Sequence, residues 1–149
     1  MELHTPPAEW IQINPDHWTQ PFWDAAADHR LVCARCRACG RFRLPPSPFC
    51  PGCQSQEVVW SELSGRGTVF TYTIVHHPVL PDLVGSVPYA VAAVDLEGAT
   101  GIRLLGNVVG LDGEDITVGM SVELEWADIR AGLSVPRFRA AVPDRTRAG

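Results

Sequence analysis

Lysine is missing altogether: all twelve basic residues among the 149 are arginine, a bias to which we attach no functional meaning. Positive charge is scarce, with seventeen acidic residues against those twelve and a formal net charge of −5. Affinity for nucleic acid comes largely from basic contacts to phosphate, so this chain reads as a poor general binder of DNA or RNA. Long apolar runs are missing too: nothing approaches the roughly 20 residues that a bilayer-spanning helix needs. The opening "MELHTPPAEW" has neither the basic n-region nor the apolar h-region of a signal peptide. These absences predict a cytoplasmic protein with no membrane partner. A Rossmann fingerprint and a P-loop are absent, as are internal repeats and low-complexity stretches. No Ser or Cys stands in a recognisable nucleophile motif.

What is present is a cluster of cysteines. All five lie between residues 33 and 53, in "CARCRACGRFRLPPSPFCPGC". Cytoplasmic thiols are kept reduced, so clustering points to metal rather than disulfides. Cys36-x2-Cys39 and Cys50-x2-Cys53, ten residues apart, have the spacing of a zinc ribbon. Each such turn aims two sulfurs and several backbone N–H groups at one point, and so supplies half a tetrahedron. The residue after the second cysteine of the turn often needs a positive φ, which glycine adopts without steric cost. Gly40 follows Cys39 and marks Cys36–Cys39 as the turn. Cys33 is then the extra cysteine, in "LVCAR", which reads as a strand with a small buried thiol. The second turn is followed by Gln54 in place of glycine. Four thiolates close the coordination sphere, so the expected Zn2+ is structural rather than catalytic. Iron in a rubredoxin-like site is the alternative. Arg35, Arg37, Arg41 and Arg43 crowd the same stretch, where they would offset the roughly −2 charge of zinc held by four thiolates. A phosphate or nucleic-acid contact is the competing reading of these arginines.

The rest of the chain divides around this ribbon, which spans 31–56. Residues 1–30 predict short helices: Asn14–Pro15 and Thr19–Pro21 each offer a cap followed by proline in the first turn. Trp18, Phe22 and Trp23 read as packing on the rest of the chain, with contact to a partner as the alternative. Residues 57–141 are mainly β. "VVWSEL", "TVFTYTIVH", "YAVAAVDL", "GIRLLGNVVG", "SVELEWAD" and a last short "VPRFRAA" are strand-like runs, and "HPVLPDLVGSVP" is a long loop. Five or six strands with Gly-rich turns predict a five- to six-stranded OB-fold barrel. Residues 142–149 read as a disordered tail. His76–His77 are read as loop histidines at a strand end, and Asp112, Glu114 and Asp115 as the acidic start of a short helix. "GRG" at 65–67 is weak evidence for a phosphate contact.

The order of parts is distinctive: "FWDAAADHRL", "CRACGRFRLPPSPFCPGC", "VVWSELSGRGTVFTYTIVHHP", "PYAVAAVDLEGATGIRLLGNVVG", "DITVGMSVELEW" and "PRFRAA". From about residue 17 to 141 it resembles the DUF35 family of zinc-ribbon and OB-fold proteins linked to acyl-CoA metabolism. By position, the resemblance makes Cys36, Cys39, Cys50 and Cys53 the metal ligands and leaves Cys33 outside the pattern. It implies a non-catalytic accessory subunit, with no catalytic residues of its own. Its partner would be a thiolase-superfamily enzyme, either a thiolase or a lipid-transfer-protein-like aldolase of sterol side-chain degradation. A MaoC-like hydratase can join such complexes, and the barrel can contact acyl-CoA. The alternative is a nucleic-acid-binding ribbon and OB-fold module.

Overall fold

The computed structural model describes residues 1–142; the tail expected over 142–149 lies outside them but for Val142. The chain starts extended, with Glu2 bridged to Asp112 and the His4 amide bonded to the Pro88 carbonyl at 2.8 Å. A short 3-10 turn, Ala8–Trp10, follows. The helix expected at Asn14–Pro15 does not form. Asp16 organises a turn there instead: its Oδ1 accepts from the amides of Trp18 and Thr19 and from the Thr19 hydroxyl, at 2.8–3.0 Å. A short side chain that captures its own downstream amides competes with helix in this way. The chain then enters α1 (Gln20–Ala27) with Pro21 in the first turn, as expected. The Thr19 hydroxyl is committed to Asp16 and does not cap α1.

Helix α1 ends in a Schellman motif. The Arg30 amide reaches the Ala25 carbonyl and the His29 amide the Ala26 carbonyl, both at 2.9 Å, with His29 left-handed at φ 57°. This reversal feeds β1 (Leu31–Cys36), the centre of a three-stranded antiparallel sheet. Its neighbours are β2 (Phe42–Arg43) and β3 (Val58–Leu63). Val58–Leu63 read from sequence as the first barrel strand. Its ladder partner is β1, in continuous register from Cys36↔Val58 to Leu31↔Leu63. An apolar, β-branched run identifies a strand but not its partner.

The barrel proper is β4 (Arg66–Val75), β5 (Tyr89–Leu96), β6 (Arg103–Val108), β7 (Ser121–Arg130) and β8 (Leu133–Ala140). It closes in the order β4-β5-β6-β8-β7, antiparallel everywhere except between β6 and β8. A closed five-stranded Greek-key barrel is the OB architecture. The last strand, expected to be short, runs eight residues. Alternate residues of β5 — Ala90, Ala92, Val94 and Leu96 — are buried and meet Val69, Val108, Val122 and Phe138. Leu31 and Cys33 of the ribbon and Phe22 of α1 belong to the same core, so helix, ribbon and barrel share one interior.

Two features explain how the barrel closes. At Gly67 a Cβ would lie 2.5 Å from the Asp95 carbonyl oxygen, so only glycine lets β4 cross β5 this tightly. A bulge between Val69 and Thr71 breaks the period-two pattern of β4. It leaves Phe70 exposed under the Arg103 guanidinium, 3.5 Å from its ring centre. Among the described residues no helix is long and apolar enough to cross a membrane.

Candidate metal centre

The two cysteine turns face each other at one end of the ribbon sheet. The first leaves the end of β1, where the Cys36 amide bonds to the Arg41 carbonyl at 2.8 Å and the Gly40 amide returns to the Cys36 carbonyl at 2.9 Å. The second repeats this at equivalent positions. The Cys50 amide bonds to the Ser55 carbonyl and the Gln54 amide to the Cys50 carbonyl, each at 2.9 Å. Equivalence extends to the backbone: Gly40 has φ 78° and Gln54 φ 64°. The left-handed conformation inferred for Gly40 is therefore also imposed on glutamine in the second turn.

All four sulfurs of Cys36, Cys39, Cys50 and Cys53 lie within 4.8 Å of one another. Cys36 and Cys53 are 3.6 Å apart, and Cys39 and Cys50 are 3.5 Å apart. A disulfide would need about 2.05 Å. A tetrahedron with zinc–sulfur bonds of about 2.3 Å has edges near 3.8 Å. The donor set therefore suits a tetrahedral thiophilic metal and leaves no position for water or substrate. Backbone N–H groups favour thiolate in both turns. Those of Cys53 and Gly52 bring the Cys50 thiol down to about 6, and those of Cys39 and Ala38 hold Cys36 below its ordinary value. Cys53 receives the Ser55 amide, but the crowding thiols push it up to about 11.

Cys33 stands apart. It is 1% exposed, sits in the common core, and burial pushes its thiol up to about 11. The ribbon arginines are largely committed to structure. Arg43 is buried, with Nη1 on the Ser47 carbonyl at 2.7 Å and Nη2 on that of Glu57 at 3.2 Å. Arg35 donates from Nε to the Gly40 carbonyl at 2.9 Å and lies over Phe42. Arg41 packs so closely on the second turn that a Cβ at Gly52 would meet its guanidinium at 3.0 Å. These side chains brace the loops around the thiols. The Arg43 contact with the Glu57 carbonyl carries no signature in the sequence, because it depends on where the chain returns in space.

The other candidates do not converge. His76 and His77 are exposed just past β4 and form no ion pair among the described residues. Asp112 caps a short 3-10 helix, Gly113–Asp115, through the Glu114 amide, in line with its reading as an acidic helix start. Phe22 is buried and Trp23 packs on the core, so the helix aromatics are mainly structural. The 77–88 loop exposes Val79, Leu80 and Val84.

The comparisons with known proteins find both parts, with their boundary inside β3. Residues 23–59 match the family described as the ChsH2 rubredoxin-like zinc ribbon domain, and residues 60–127 the ChsH2 C-terminal OB-fold domain. A DUF35 domain-containing scaffold protein of Methanocaldococcus jannaschii is 37% identical over 102 residues, which cover 67% of this chain and 70% of that protein. The chain belongs to the DUF35 family. Another relative within reach of the family is a probable enoyl-CoA hydratase alpha subunit of Thermomonospora curvata, 43% identical over 132 residues. That match takes in 88% of this chain, which spans only 39% of the hydratase subunit. Among solved structures, a chain of the Ltp2-ChsH2(DUF35) aldolase superposes with a TM-score of 0.79 at 38% identity, covering 88% of this DUF35 chain and all of that one.

Proposed function

We propose that this DUF35 protein is a non-catalytic accessory subunit that binds and supports a thiolase-superfamily enzyme acting on acyl-CoA thioesters. A lipid-transfer-protein-like aldolase is the favoured partner. The observation that carries the reading is the likeness, over 88% of this chain, to a chain of the Ltp2-ChsH2(DUF35) aldolase. The centre agrees with it: four cysteines ring a closed site, and among the described residues no nucleophile–base pair stands beside it. In this reading Cys36, Cys39, Cys50 and Cys53 hold one Zn2+ whose role is structural. Zinc supplies cross-linking there, while the chain's own amides and arginines orient the thiols. The hydratase-named relative extends the reading to complexes that include a MaoC-like hydratase. Contact between the barrel and acyl-CoA belongs to the same reading.

The test is co-expression with the thiolase-superfamily enzymes of the same host, followed by gel filtration and an acyl-CoA cleavage assay. A stable complex is expected, active only when the partner is present. Turnover of acyl-CoA by the isolated chain, or no complex with any such enzyme, overturns the proposal.

A further inference from the structure

The ribbon sheet ends in an open edge. Its strand order is β2-β1-β3, so β3 has a strand neighbour on one side only. Two hydrogen bonds fix which residues of β3 face that neighbour. The Cys36 amide donates to the Arg41 carbonyl at 2.8 Å, in line with the register pairs Ala34↔Arg43 and Arg35↔Phe42. In an antiparallel ladder, opposed residues alternate between pairs that exchange both hydrogen bonds and pairs that exchange none. Cys36 and Ala34 therefore turn to β2, while Arg35, Cys33 and Leu31 turn to β3. The Arg37 amide donates to the Glu57 carbonyl at 3.1 Å and gives the same phase from the other side. The partners Val59, Ser61 and Leu63 are thus the bonded residues of β3. Val58, Trp60 and Glu62 turn their N–H and C=O outward, and among the described residues no group donates to these carbonyls or accepts from these amides.

Open edges are normally blunted by lysine, proline, a bulge or a very short strand. The six residues "VVWSEL" of β3 carry none of these, keep continuous register, and include no fully buried residue. The one charge, Glu62, is held by Arg30 at 3.2 Å. Val58 and Trp60 lie on the same sheet face as Glu62, where they help line a hollow of about 170 Å³ with His17, Trp18, Pro21 and Pro46. The three outward residues are evenly spaced about Trp60, so the edge is complementary to itself. A two-fold axis at Trp60 sets Trp60 against its own copy and Val58 against Glu62 in both directions. No other symmetric register bonds all three. In it no like charges stand opposite each other, and the two tryptophans become cross-strand neighbours.

We infer that β3 pairs antiparallel with β3 of a second copy of this chain, joining the two ribbon sheets into one continuous sheet. Main-chain hydrogen bonds from Val58, Trp60 and Glu62 supply the affinity, and the shared face around Trp60 supplies the register. The inference stands on the sheet edge and not on the accessory-subunit reading above.

The experiment uses the full, zinc-loaded chain. Its mass is followed by sedimentation at concentrations up to about 1 mM, with amide exchange read by NMR at both ends of the range. The expected result is a dimer whose formation protects the amides of Val58, Trp60 and Glu62, while those of Val59, Ser61 and Leu63 are protected throughout. Glu62→Pro removes an outward N–H and leaves the ladder to β1, whereas Glu62→Ala keeps that N–H and loses only the contact with Arg30. Proline should weaken the dimer at least about tenfold, because the two-fold axis removes the bond twice, and alanine should weaken it little. If Glu62→Pro fails to fold, the wild-type exchange measurement decides alone. A chain that stays monomeric over the whole range overturns the inference, and so does a dimer in which Trp60 exchanges as in the monomer. Protection of Trp60 that appears only when the co-expressed thiolase-superfamily enzyme is added makes a partner strand the occupant. That result overturns the second copy and leaves the accessory role standing.

Discussion

Replacing Cys36, Cys39, Cys50 or Cys53 with serine is expected to abolish metal binding, whereas Cys33→Ser should keep one metal per chain, as read by elemental analysis of the purified variants. The four thiols converge, and Cys33 lies in the core. The convergence of these four thiols, with Cys33 apart, was legible in the sequence because the spacing is local and Gly40 marks its turn. Gln54 shows where that legibility stops. Glycine is missing from the second turn, yet the backbone is left-handed all the same. A side chain in that region costs about 1–2 kcal/mol, part of which the extra chain entropy of glycine cancels. Gln54→Gly should therefore raise stability by up to about 1 kcal/mol in urea melts of the zinc-loaded protein. A contact no pattern could reveal ties His29 to Asp128: Nε2 and Oδ1 are 2.6 Å apart, and the Ser134 hydroxyl donates to the same oxygen at 2.6 Å. The Ser134 bond first, and His29 second, hold the Asp128 carboxyl below its ordinary value of 3.8. A lowered folded-state value means that the stabilisation is complete above the unfolded value and disappears as pH falls through the folded one. The melting temperature of wild type should exceed that of Asp128→Asn at neutral pH, and the gap should close as pH drops below 3.8.

At the level of elements, α1 and the β4–β5 crossing carry the fold. Phe22 is 6% exposed and packs with barrel and ribbon residues, so Phe22→Ala should cost about 3–5 kcal/mol in denaturant unfolding. This helix is thus a piece of the core. Its aromatics are legible as apolar and its proline as a helix start, but its depth is not, because eight residues cannot announce what covers them. The strands were legible for a different reason: alternation in "YAVAAVDL" and "SVELEWAD" matches one buried face. What alternation cannot carry is partner choice or interruption. So β3 joined the ribbon rather than the barrel, and the bulge at Phe70 passed unseen. Gly67→Ala should open the crossing or displace β5, lowering the melting temperature well beyond a surface glycine such as Gly85, where an added Cβ meets nothing within 4 Å.

For the molecule as a whole, the shared interior sets how metal loss is felt. Leu31 and Cys33 sit on the strand that ends at Cys36, and they pack with Val69, Val94 and Phe138 of the barrel. Metal binding energy in such a site is folding energy. Stripping zinc with a chelator should therefore lower one cooperative melting transition by scanning calorimetry, rather than split off a separate ribbon transition. Two well-separated transitions would show that the ribbon unfolds independently.

Between the last residue of β3 and the first of β4 stand only Ser64 and Gly65. A linker of two residues reaches no more than about 7 Å. It behaves as a welded joint rather than a hinge. It acts as an angle bracket: whatever binds the ribbon has its orientation to anything seated on the barrel fixed in advance. The shared core doubles that joint, because Leu31 and Cys33 of the ribbon pack with Val69 and Phe138 of the barrel, so the angle is held by packing as well as by the chain.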